Sequence, residues 1–206
     1  MKREEKNLLS RQKIINSAIA EFGTKSYAEA SLNAICKNGN ISKGIIYHYF
    51  KDKDELYLVC VTECFDRLTA FLNSKKTTFN NFEEDIKKYL DMRQQFFSEN
   101  HYFGNIFASA VLQSPKHLIA QIRKIKAELD ALNVNYYEQA LQNVNLKSDV
   151  CRKEAIEYFL IFQEAFNNYF QNKTYGDFRK LVDDHELKLS KLLKIMLYGI
   201  AKEETE

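Results

Sequence analysis

Apolar residues recur three and four positions apart along nearly the whole chain, and strand-like alternation is scarce. That spacing gathers apolar side chains on one face of a helix, so the pattern predicts an all-α protein. Ile14, Ile15, Ala18, Ile19 and Phe22 form one stripe, which predicts a first helix from about Ser10 to Phe22 with Gly23 as its stop. Ser31 is placed to cap a second helix that turns Leu32 and Ile35 inward. Asn38-Gly39-Asn40 is the turn, where Gly39 or Asn40 takes the left-handed conformation. Ser42 caps a third helix, and Asp52 with Glu55 has capping-box spacing at the start of a fourth. The fourth continues through Leu58, Val61, Cys64, Phe65, Leu68 and Leu72.

After a polar link, helices are predicted over about Phe82–Phe97, Asn100–Leu112 and, following the Ser114-Pro115 break, Lys116–Leu141. Two more close the chain, Ser148–Gln171 and Gly176–Ala201. The first of these has one face of Ile156, Phe159, Leu160, Gln163, Phe166 and Phe170 and a second of Tyr158, Phe162, Ala165 and Tyr169. The last carries a wide band of Leu189, Leu192, Leu193, Met196, Leu197 and Ile200. Helices apolar around most of their girth must be covered on more than one side. A second copy of the same pair is the expected cover, giving a homodimer through the last two helices. The alternative is a central helix inside a monomer.

Bulk properties narrow the class. Residues 1–53 hold ten Lys/Arg against five Asp/Glu, whereas the remainder holds twenty against twenty-three. A basic end on a slightly acidic body suits an end that meets a polyanion, although a chance excess of solvated lysines gives the same count. The first residues lack the apolar core of a signal peptide, and the longest apolar run, Leu56 to Val61, is far short of the ~20 residues that span a bilayer. A cytoplasmic protein with no membrane partner is expected. Cys36, Cys60, Cys64 and Cys151 have neither metal-site spacing nor disulfide density, and no metal or cofactor is expected. Cys60 and Cys64 are four apart on one helix face, which leaves a redox role open beside plain packing.

The chemistry concentrates in Ser42–Phe50. Lys43 aligns with Tyr47, and Gly44 with His48, while Ile46 and Phe50 lie on the opposite side. Gly44 costs a helix up to ~1 kcal/mol relative to alanine, so its presence points to close approach by an outside body such as a duplex. Ser42 and the helix-start amides suit phosphate, and Tyr47 and His48 reach it from the side. Lys43 suits a guanine edge or a phosphate, Ile45 a thymine methyl, and Lys53 a further phosphate. A helix–turn–helix used only for packing is the plain alternative, but this full combination is much rarer.

The pieces IINSAIAEFGTKSY, SLNAICKNG, ISKGIIYHYF and KDKDEL resemble the tetracycline-repressor (TetR) family of bacterial transcriptional regulators over residues 10–56. Beyond Leu56 only the helical architecture is similar. The resemblance implies a three-helix DNA-binding head at 1–53 and a six-helix ligand-binding and dimerisation body at 54–206. It also implies operator DNA as partner and release when a small molecule fills the body. It places Ser31 on phosphate, Lys43, Gly44 and Ile45 nearest the bases, and Tyr47, His48 and Lys53 on the backbone. Where the family's turn often reads alanine-glycine, this chain reads Gly39-Asn40.

The body is rich in aromatic residues, and Tyr89, Arg93, Phe96, Phe103, Phe107, Phe162 and Phe166 are candidates to line an effector cavity. Core packing is the competing reading for each. The sequence does not separate a fatty or aromatic effector from a cationic one. The function expected is a ligand-responsive DNA-binding regulator, a repressor released by a small apolar or aromatic effector. A helical protein-interaction module and a small-molecule-binding enzyme are the alternatives. No nucleophile–base pair, metal set or phosphate loop supports the enzyme.

Overall fold

The computed structural model describes residues 3–171, 173 and 178–200. Among them the chain forms α1 (Arg3–Phe22), α2 (Leu32–Gly39), α3 (Lys43–Tyr49), α4 (Lys53–Ser74), α5 (Phe82–Glu99), α6 (His101–Leu112), α7 (Ile119–Leu141), α8 (Arg152–Gln171) and α9 (Phe178–Ile200). A 3-10 turn at Lys116–Leu118 precedes α7, and no strand is present among the described residues. The expected ends of the last helix, Gly176 and Ala201, lie outside the described residues.

The chain divides into two compact units, Met1–Phe71 with Gln95–Ala127, and Leu72–Gln94 with Glu128–Glu206. Helices α4, α5 and α7 each contribute to both. In the first unit α1 packs against α2 and α6, and α2 against α3. Ile14, Ala18, Ile35, Ile46, Leu56 and Leu68 are fully buried there, so the stripe read from the sequence is the inner face of α1. Helix α1 begins at Arg3, seven residues before the expected start at Ser10, with Glu4 and Glu5 in its first turn, where carboxylates favour the positive end of the helix dipole.

The α2–α3 turn is set by two adjacent residues with different tasks. Asn40 adopts φ 47° and ψ 57°, the left-handed conformation, and its N–H bonds back to the end of α2. Gly39 is needed for closeness instead: a Cβ there would collide with Ser17 Oγ and Ile41. Helix α4 starts with a variant capping box. Asp52 Oδ1 accepts from the Glu55 N–H at 2.9 Å, but Glu55 reaches past Asp52 to accept from the Lys51 N–H at 2.6 Å.

The second unit has its own core of Phe82, Ile86, Tyr137, Ala140, Leu141, Ala155, Phe159, Met196 and Leu197. Helices α8 and α9 pack on one another within it. His185 of α9 is buried between them, bonded to Asn167 at 3.1 Å and packed on the rings of Phe166 and Phe170.

Candidate nucleic-acid interface

Helix α3 owes its ends to its caps. Ser42 has an extended backbone and its Oγ accepts from the Ile45 N–H at 3.4 Å, while Phe50 closes the last turn through a bond to Ile46 O. Ile46 and Phe50 are buried, and Arg11 stacks its guanidinium 5.3 Å from the Phe50 ring centre. The Tyr49 hydroxyl donates to Asn7 at 3.2 Å, tying α3 to the start of α1. These contacts fix which side faces out. Ser42, Lys43, Gly44, Ile45, Tyr47 and His48 are all exposed, with Ile45 at 44% and Tyr47 at 50%. Such exposure for two large apolar side chains on one turn marks a surface built to be covered. A Cβ placed on Gly44 meets nothing within 4 Å, so no neighbour inside the protein requires the glycine.

Ser31 caps α2 through its Oγ, which accepts from the Ala34 N–H at 3.2 Å. Its own N–H donates to Glu21 Oε1 at 3.3 Å, a buried carboxylate that also holds Lys25 Nζ at 2.8 Å.

Lys53 is placed differently from its neighbours on the interface. Its ammonium donates to the backbone carbonyls of Tyr27 at 2.9 Å and Ala30 at 3.2 Å, and lies 4.2 Å from the centre of the Tyr27 ring. These bonds occupy it with the α1–α2 loop. Beside it is an arrangement the sequence did not reveal. The Tyr27 hydroxyl donates to Asp54 Oδ1, and His117 Nε2 lies 2.9 Å from Asp54 Oδ2. The Tyr27 bond, joined by His117, holds the Asp54 carboxyl below its ordinary range. Burial, then the bond to Asp54, pushes the Tyr27 phenol up. No local pattern could announce this set, because its members are 27 and 63 residues apart.

The residues expected to line a cavity separate into groups. Tyr89, Arg93 and Phe162 line one cavity of the second unit. Phe166 packs on Phe170 and His185. Phe96, Phe103 and Phe107 belong to the first unit, where Phe96 stacks on Phe103 at 6.2 Å and Phe107 meets Phe97 at 5.1 Å and Phe65 at 5.5 Å. Cys60 and Cys64 are fully buried, and burial pushes both thiols up, away from the reactive thiolate. No group of three or more His, Cys, Asp or Glu suited to a metal occurs among the described residues, and no helix among them is long and apolar enough to cross a membrane.

Residues 14–60 match the family described as bacterial regulatory proteins, tetR family. Over 169 residues the chain is 32% identical to the biofilm operon icaADBC HTH-type negative transcriptional regulator IcaR of Staphylococcus aureus (strain Newman), covering 76% of this chain and 81% of that one. The chain belongs to the TetR family of bacterial transcriptional regulators. It is 37% identical over 62 residues to the IcaR of Staphylococcus epidermidis, which covers 30% of this chain and 34% of that protein. The fold is similar to that of a TetR family transcriptional regulator from Chloroflexus aurantiacus J-10-FL, with a TM-score of 0.58, 21% identity and 94% of each chain covered. TetR regulators are DNA-binding proteins rather than enzymes, and they bind operator DNA and dimerise. In this TetR chain the matched stretch contains every residue from Ser31 to Lys53 discussed above.

Proposed function

We propose that this TetR regulator is a cytoplasmic repressor that binds its operator as a homodimer and leaves it when a small apolar or aromatic effector occupies the second unit. The exposed face of α3 carries the reading: Lys43, Ile45, Tyr47 and His48 stand in solvent around a glycine that nothing in the protein crowds. In it Lys43, Gly44 and Ile45 lie nearest the bases, and Ser31, Ser42, Tyr47 and His48 hold the backbone. Residues 1–53 act as the DNA-binding head and residues 54–206 as the ligand-binding and dimerisation body. The printed name of the S. aureus relative, a negative regulator, supports repression.

The dimer reading rests on α8 and α9. Tyr158, Ile161, Phe162 and Tyr169 of α8 and Leu187, Ile195 and Tyr198 of α9 are exposed, and an apolar surface of that extent favours a second copy. The test is a gel-shift titration on DNA upstream of the chain's own gene. Lys43→Ala and Tyr47→Ala should each weaken binding by about tenfold or more, with an unchanged dimer by sedimentation. Unchanged affinity in both variants removes the assignment.

A further inference from the structure

One cavity of the second unit is a narrow slot between α5, α7, α8 and α9, the last contributing Leu189 and Leu193. Its open volume is about 50 Å³. That is well below the ~150 Å³ of an engineered cavity that admits benzene, so a guest ring enters only as the walls part. Those walls are themselves rings: Tyr89 packs on Tyr136 at 4.4 Å, and Tyr137 stacks on Phe159 at 4.0 Å with planes 10° apart. Phe162, 38% exposed, and Gln163 stand where α8 borders the slot.

The polar groups of this lining are unevenly used. The Tyr89 hydroxyl donates to Asn133 Oδ1, and the Tyr136 hydroxyl to Asp85 O at 3.3 Å. The Tyr137 hydroxyl is buried and has no hydrogen-bond partner among the described residues. A buried hydroxyl left without a partner costs stability, and a guest that accepts its hydrogen recovers that cost. Burial pushes the Tyr137 phenol up, so it remains a donor at neutral pH. Arg93 carries the one formal charge of the lining. Its positive field reaches Tyr89, countered by Asp130 from outside the lining. The lining thus offers the unpartnered Tyr137 hydroxyl as a donor, together with the single positive charge of Arg93. A cationic guest would meet Arg93 as a like charge, and an alcohol would gain less from it than a carboxylate does.

We propose that the slot takes a single-ring aromatic carboxylic acid, its ring between the aromatic walls and its carboxylate accepting from the Tyr137 hydroxyl in the field of Arg93. This rests on the reading of the chain as an effector-controlled regulator and adds the effector's class. A ring forced between α8 and its neighbours also displaces Phe162, which belongs both to the slot and to the exposed face of α8.

Calorimetry on the full chain tests it with 3-phenylpropanoate, 3-phenyl-1-propanol and 3-phenylpropylamine as probes. The acid should bind once per protomer, about tenfold or more tighter than the alcohol or the amine. Tyr137→Phe keeps the ring and removes only the unpartnered hydroxyl, so its melting temperature should be equal or higher while acid affinity falls about tenfold. Arg93→Gln should abolish the preference for acid over alcohol. Absence of acid binding, equal affinity for the three probes, or unchanged affinity in Tyr137→Phe overturns the proposal. A gel shift on the upstream DNA separates the two readings. DNA released equally by acid and alcohol removes the carboxylate assignment and leaves the regulator. Failure to bind DNA removes the regulator, and calorimetry still decides the slot.

Discussion

Two lysines ten residues apart show how placement decides a residue's work. Lys43 is exposed on α3, and no contact among the described residues ties its ammonium. Lys53 has the same charge but is bonded to Tyr27 O and Ala30 O, contacts that span 26 and 23 residues of sequence. The sequence correctly put Ile46 and Phe50 inside and the Lys43–Tyr47 row outside, because helical periodicity is local. It offered no sign of the Lys53 bonds, because carbonyls of a distant loop leave no trace in a local pattern. Lys53→Met should therefore destabilise the protein by about 1–2 kcal/mol, read by urea melting, since two carbonyls lose their charged donor. A variant that keeps its stability but loses DNA affinity would instead assign Lys53 to phosphate. Gly44 gives a sharper discriminant. Gly44→Ala should raise stability, by up to ~1 kcal/mol, because the added methyl meets no neighbour and alanine favours the helix. The same change should weaken operator binding if the duplex approaches that backbone. Stability and affinity moving together would contradict the account.

Among the elements, caps and turns were the most legible features. Ser31, Ser42 and Asp52 each cap where their side-chain chemistry indicated, and Asn40 takes the left-handed turn. The early start of α1 was hidden, because its first turns have no buried face and so no apolar period: Leu8 and Leu9 are exposed. Asn40→Val should cost about 1–2 kcal/mol, measured by thermal or urea unfolding, because a β-branched residue resists positive φ. The start of α4 should also respond to acid. Asp54 has its folded pKa lowered, so its contribution is present above the ordinary carboxylate range and is lost as pH falls through the lower folded value. An acid-unfolding series should show this limb in the wild type and lack it in Asp54→Asn. An identical acid limb in both proteins would detach the Tyr27–Asp54–His117 set from stability.

For the whole molecule, the all-α architecture follows from the periodicity, and the TetR membership rests on the 32% identity to the S. aureus IcaR over 76% of the chain, with the 14–60 match beside it. The grouping of aromatic residues was not legible, because any Phe or Tyr on an apolar stripe serves core and cavity equally. Phe96, Phe103 and Phe107 share stripes with their neighbours as cavity residues would; in the first unit Phe96 stacks on Phe103, Phe107 packs on Phe97 and Phe65, and Phe103 borders a cavity with Arg67 and Tyr102. Exposed apolar side chains on α8 and α9 support the proposal that a second subunit packs there. Tyr158→Glu together with Ile161→Glu should shift the protein toward monomer in sedimentation and abolish operator binding, although α3 is untouched.

The central claim is that the solvent face of α3 docks on duplex DNA once per protomer of a pair. Fluorescence anisotropy with the chain's own upstream duplex, titrated across salt, tests it most directly. The account predicts saturation at two protomers per site, with affinity falling about a thousandfold or more between ~50 and ~200 mM salt. Binding that ignores salt, or a lone subunit that leaves the duplex unbound, would contradict it.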